Sequence, residues 1–207
     1  MMKRHLRCLF TVLSMLLVPA AMRAQETFTI FSLNPDDWNY DIPIPGDWAD
    51  SYTKTEFIVP GTYLTGDGFF GSDITDMTFY GINGNENVSW PGTHFKVFQK
   101  EVNNQVLSSF TGYNDATVVY EGSLSVVNGQ MKIIFTTPFV YHGGNLLIGV
   151  YNSSSQGTAN TIGWRGEHVW ENAAVVGVRY FNESFNNLEA EPDNFIPMVT
   201  FGYTPTS

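Results

Sequence analysis

Apolar and polar residues alternate along most of the chain with a period of two, the spacing of strands that bury one face, and almost nowhere with the period of a helix. Ile74 to Ile82 puts Met77 and Phe79 on one face and Thr78 and Tyr80 on the other, and His94 to Gln99 alternates Phe95 and Val97 with Lys96. Val118 to Val127 and Gln130 to Thr136 predict a hairpin, because Asn128-Gly129 between them supplies the positive-φ positions of a type I′ turn. Leu146 to Tyr151 follows a Gly143-Gly144 turn, Val175 to Phe181 is β-branched and aromatic, and Ile196 to Tyr203 forms a last strand. The connections differ in composition. Asn34 to Asp50 is rich in Pro and Asp, Asn83 to Thr93 in Gly and Asn, Ser153 to Asn160 in small polar residues, and Asn182 to Asp193 is polar throughout. Strands at this spacing, separated by turn-forming clusters, predict an all-β fold, an antiparallel β-sandwich of jelly-roll-like form. No repeat of fixed period points to a solenoid or propeller.

The N-terminus breaks this pattern. Lys3, Arg4 and Arg7 precede an apolar run from Leu9 to Val18, then Pro19 and small residues up to Ala24, which is the layout of a secretory signal peptide. The run is roughly half the length of a membrane-spanning helix. Residues 1–24 are therefore expected to be removed, with Ala21 as the alternative cleavage position, leaving no transmembrane segment. Residues 25–50 then add an N-terminal strand and an acidic, Pro-rich loop to the domain, 51–204 form the sandwich module, and 205–207 a tail. The expected location is extracellular or cell-surface, with the periplasm as the alternative.

Composition and charge narrow the function classes. The chain has 207 residues, 43% hydrophobic, 15% aromatic and only 14% charged, which suits one globular domain with a sizeable core. Loss of residues 1–24 removes four basic groups and no acid, leaving six against twenty and a formal charge near −14. A nucleic acid would be repelled. The only cysteine, Cys8, lies in the signal segment, so the mature protein has neither thiol catalysis, cysteine-ligated zinc nor a disulfide framework. Its stability must come from the core, helped at most by a structural calcium ion, and a monomer is expected.

The run Lys96 to Leu124, with Leu107-Ser108-Ser109-Phe110-Thr111 followed by Asp115 to Leu124, resembles a β-sandwich module of secreted and surface proteins from Bacteroidetes-type bacteria. Thr137 to Tyr141 with Gly143 to Tyr151 is similar to its central hairpin, and Asn194 to Pro197 before Val199 to Phe201 to its closing strand. The resemblance covers roughly residues 51–204. It implies a jelly-roll-like module of the kind that precedes fibronectin type III repeats and is broadly similar to those of surface adhesins, with molecular function mostly unassigned. Here the chain ends directly after the closing strand, as a stand-alone module or the front of a longer protein.

Two residue sets could carry binding. Trp38, Trp48, Trp90, Trp164 and Trp170 all fall in or beside predicted loops, where an indole face can take the C–H face of a sugar while Asn, Asp and Gln orient its hydroxyls. Trp90, and Trp164 beside Arg165, are the first candidates. Asp36, Asp37, Asp47, Asp50, Asp67 and Asp73 recur among Gly and Asn, and calcium tolerates such oxygen-rich loops, although no EF-hand order of ligands is present. Enzymatic signals are weaker. His168 and Glu171 lack a His-Glu-x-x-His context, Gly71-Ser72-Asp73 and Gly122-Ser123-Leu124 lack a nucleophile elbow, and no carboxylates can be paired from sequence. The expectation is a non-enzymatic surface module that binds glycans or a surface protein, with a structural spacer as the alternative and a small hydrolase ranked last.

Overall fold

Strands account for nearly all the regular structure in the computed structural model, which describes residues 24–31, 36–45, 51–66, 69–90, 94–154, 162–179 and 185–205. In chain order they are β1 (Glu26–Thr29), β2 (Trp38–Asn39), β3 (Ser51–Val59), β4 (Asp73–Ile82), β5 (Val88–Ser89), β6 (Phe95–Val102), β7 (Thr117–Gly122) and β8 (Ser125–Val126). There follow β9 (Gln130–Val140), β10 (Asn145–Asn152), β11 (Gly163–His168), β12 (Ala174–Arg179), β13 (Glu191–Asp193), β14 (Phe195–Pro197) and β15 (Val199–Thr204). Single 3-10 turns lie at Gly61–Tyr63 and Phe185–Asn187.

Two antiparallel sheets face each other as a β-sandwich. One has seven strands, ordered β1-β15-β4-β11-β14, with β9 on β4 and β2 on β11; the other has six, ordered β13-β12-β3-β10-β6-β7. Between them Phe57 of β3 meets Phe79 of β4 edge to face, ring centroids 6.2 Å apart, and Phe79 in turn meets Trp164 of β11. Met77, Phe95, Val97, Ile148 and Phe201 complete the centre of this core. The alternation expected in β4 and β6 is present, with Met77, Phe79, Phe95 and Val97 turned inward and fully buried.

The Asn128-Gly129 turn forms as expected, with φ of 51° and 72° and Val127 bridged to Gln130. The hairpin does not extend through Val118, however. Gly122, at φ 150°, ends β7, which pairs with β6 in the six-stranded sheet, while β9 pairs with β4 in the other. The chain therefore changes sheets between Gly122 and Gln130. The last strand is also divided: Met198 donates its N–H to Arg165 O at 2.7 Å, separating β14 on β11 from β15 on β4 and β1.

A second layer covers the outer face of the six-stranded sheet. Ile58, Phe98, Leu147, Tyr151 and Val175 are buried there beneath the β6–β7 connection, residues 103–116, which contributes the buried Leu107, with Phe110, Tyr113 and Phe185 packed against them. This explains β10, whose residues from Leu146 onward are all buried: covered on both faces, it reads as a continuous apolar run.

Candidate functional site

The site is built where β11 ends. Along β11 Trp164 points into the core, Arg165 is half-buried, Gly166 is buried, and Glu167 and His168 are exposed. Gly166 is required by close approach, since a Cβ there would lie 2.2 Å from Ile196 O. Beyond the strand, Val169 donates its N–H to Asn194 O at 2.6 Å and Ala173 is buried, so the chain is anchored at both ends of a short turn. The residues between are forced outward, and Trp170 is fully exposed, at 104% of its reference surface.

Trp170 stands over a groove of about 350 Å³ whose lining includes Tyr63, Gln105, Glu167, His168 and Glu171. Three separate segments supply these groups. Asn145, at the start of β10, joins two of them: its side-chain oxygen accepts the Gly61 N–H at 2.9 Å, and its amide donates to Asn104 O at 3.1 Å and Asn103 O at 3.3 Å. The Gly61–Tyr63 turn and the loop carrying Gln105 are thus held by one side chain. Leu107 donates its N–H to Asn172 O at 2.9 Å, which ties that loop to the Trp170 turn.

His168 is fixed by Asp37. Its Nδ1 lies 2.6 Å from Asp37 Oδ2, and its backbone N–H donates to the same oxygen at 3.2 Å. The His168 ring beside Asp37 holds that carboxyl below the usual carboxylate range, while burial acts the other way. The edge of the imidazole packs on Phe195, centroids 5.2 Å apart.

A second concavity of about 320 Å³ lies at the Asn128-Gly129 turn, lined by Asn83, Asn85, Glu86, Gln130 and Arg165 among others. Its one aromatic lining residue among those described, Tyr80, is half-buried, with its hydroxyl 2.6 Å from that of Thr200.

The candidates separate sharply by burial. Trp164 is wholly buried, with its indole N–H donating to Ile44 O at 2.7 Å. Trp90 is 5% exposed and meets Phe95 edge to face at 5.9 Å. Neither can stack a ligand, which corrects the expectation that these two lead the set: both rings are part of the main core, Trp164 against Phe79 and Trp90 against Phe95. Trp38 is half-buried against Tyr40 (4.6 Å), and Arg165 is half-buried at the second concavity. Trp48, Asp47, Asp50 and Asp67 lie outside the described residues.

Of the other aspartates, Asp36 is exposed, Asp37 is engaged by His168 and the Trp38 N–H, and Asp73 sits in register with Thr204 and Val140 at the start of β4. Among the described residues no three His, Cys, Asp or Glu side chains gather as a metal site would require. Sequence reading missed Tyr63, Gln105, Glu167 and Phe70. A signal existed for Phe70: two adjacent aromatics, Phe69-Phe70, in a tight turn before Gly71 cannot both face inward, and Phe69 is the buried one.

No family model matches the chain, and comparison with curated proteins and with solved structures found no significant match.

Proposed function

We propose that this is an exported, non-enzymatic binding module of the cell surface or extracellular space, and that it holds a glycan in the Trp170 groove. The observation that carries the reading is that Trp170 and Tyr63, 104% and 41% exposed, line one groove beside the hydrogen-bonding groups Gln105, Glu167 and Glu171. An indole and a phenol give apolar faces for the C–H side of a pyranose, and carboxylate and amide oxygens accept from its hydroxyls. The signal-peptide pattern of residues 1–24 and the resemblance of residues 51–204 to surface modules support the same reading. Burial of Trp90 and Trp164 favours the alternative, a spacer within a surface protein.

A panel of host and plant glycans, read by retention and by tryptophan emission, tests the proposal on the purified protein. Saturable binding that shifts emission and is lost in Trp170→Ala is the expected result. Absence of any hit, or a hit indifferent to Trp170→Ala, would move the assignment to the spacer.

A further inference from the structure

Only three Phe, Trp or Tyr side chains among the described residues are exposed: Tyr63 at 41%, Phe70 at 72% and Trp170 at 104%. They come from three different loops. Chance placement would scatter them, yet all three stand around one end of the sandwich. Trp170 and Tyr63 share the groove. The Gly61–Tyr63 turn and Phe70 both pack on the Gly143-Gly144 turn: a Cβ on Gly61 would lie 3.1 Å from Gly143 O, and a Cβ on Gly143 would lie 2.6 Å from Phe70 Cδ2. Phe70 thus lies directly on a glycine that the Tyr63 turn also touches.

The turn between them is held rigidly. Glu101 accepts the Gly144 N–H at 2.6 Å and the His142 N–H at 3.2 Å, and the Tyr141 hydroxyl donates to Gly144 O at 2.9 Å. Asn145, the next residue, fixes the Gly61 N–H. A platform positioned in advance loses little freedom on binding. The described lining of the groove carries Glu167 and Glu171 and neither lysine nor arginine, in a chain of formal charge −10. An anionic sugar would meet repulsion there.

We infer that the ligand is a polymeric, uncharged glycan that runs from the Trp170 groove past Tyr63 to a second stacking position on Phe70. This rests on the glycan reading above and adds to it chain length and charge. A short sugar fills the groove alone; a longer chain reaches Phe70 and gains affinity.

The test is titration of wild-type protein, Trp170→Ala and Phe70→Ala with a length ladder of neutral β-linked and α-linked glucose and mannose oligomers, and with uronate oligomers of matched length. Affinity of the wild type should rise with length, uronates should bind at least about tenfold more weakly, and Trp170→Ala should lose about tenfold or more at every length. Phe70→Ala should match wild type on the shortest binding oligomer and lose the length-dependent gain. Trp170-dependent binding in which Phe70→Ala changes nothing, or changes all lengths equally, overturns this inference and leaves the groove reading intact. No binding to any oligomer overturns both. Retention of wild type, but not Phe70→Ala, on zwitterionic vesicles in place of glycans would show that the aromatic end meets a lipid surface and would likewise overturn it.

Discussion

The carboxylate of Glu56 lies beneath Thr111 and accepts both its backbone N–H, at 2.9 Å, and its hydroxyl, at 2.8 Å, through the same oxygen. Gly112 donates its N–H to the other oxygen at 2.8 Å, and the Tyr151 hydroxyl donates to it as well. A carboxylate with no exposed surface thereby holds the 103–116 connection onto the outer face of the six-stranded sheet. That connection also carries Gln105 into the groove, so the clamp and the site are mechanically linked.

Glu56→Gln keeps the shape but turns an NH₂ group toward these donors. Each buried donor left without an acceptor costs about 1–3 kcal/mol. We expect loss of stability on that scale and faster hydrogen exchange at the Thr111 and Gly112 amides, measured by exchange NMR. Unchanged protection at both amides would show that packing of Phe110 and Tyr113, and not the carboxylate, holds the loop.

Alkaline stability should fall in a defined window. Burial pushes the Tyr141 hydroxyl up to about 12, with the Glu101 charge adding to it, and burial pushes Tyr151 up further, reinforced by Glu56. In the unfolded chain both ionise near the ordinary value of about 10. Above that pH the unfolded state holds fewer protons than the folded one, so stability, fully present below about 10, is lost as pH rises through the folded values. Lys54, lowered by burial among Phe110, Tyr151 and Phe185, acts oppositely up to about 10.5. Two tyrosines outweigh one lysine, so guanidinium melts should show a net decline from about pH 10 upward, with a shallower slope in Tyr141→Phe. An identical slope in that variant would place the alkaline transition elsewhere.

Gly149 exists for Phe98. A Cβ there would lie 2.0 Å from Phe98 Cζ, and the ring, fully buried, is already set edge to face against Tyr151 and Tyr113. Overfilling such a site costs about 1–3 kcal/mol or more. Gly149→Ala should be destabilising by at least that, and Phe98→Leu should cost less in the Gly149→Ala background than in wild type. Strict additivity in that double-mutant cycle would mean that the two side chains do not compete for space.

Much of the sandwich was legible because β4, β6 and β10 present apolar side chains in the order their burial demands. β3 was hidden: Thr53 and Thr55 are buried polar residues, and Glu56 occupies an outer face that sequence alone would leave in water. β11, Gly-Trp-Arg-Gly-Glu-His, carries too few apolar residues to register, since its glycines are there for close backbone approach. The tryptophans were the hardest to place. Their polar neighbours suggest loops, but whether an indole faces in depends on where the chain changes direction. Between Val169 and Ala173 that is set by the Asn194 contact, which lies far away in sequence.

Trp164 and Trp170 are six residues apart and should respond in opposite ways to the same substitution. Trp164 is wholly enclosed against Phe79, and truncation to alanine would open a large cavity and leave Ile44 O without its indole donor. Such losses run to about 3–5 kcal/mol for a buried aromatic, enough to lower the melting temperature by many degrees. Trp170 meets water on every side, and its removal should change stability by no more than about 0.5 kcal/mol. Paired thermal and denaturant melts of the two variants, with acrylamide quenching of the remaining emission, separate the roles: Trp170→Ala should melt with wild type and lose its most quenchable component. If Trp170→Ala instead fell by as much as Trp164→Ala, the ring would be a structural lid, and an open stacking platform at the groove would have to be given up.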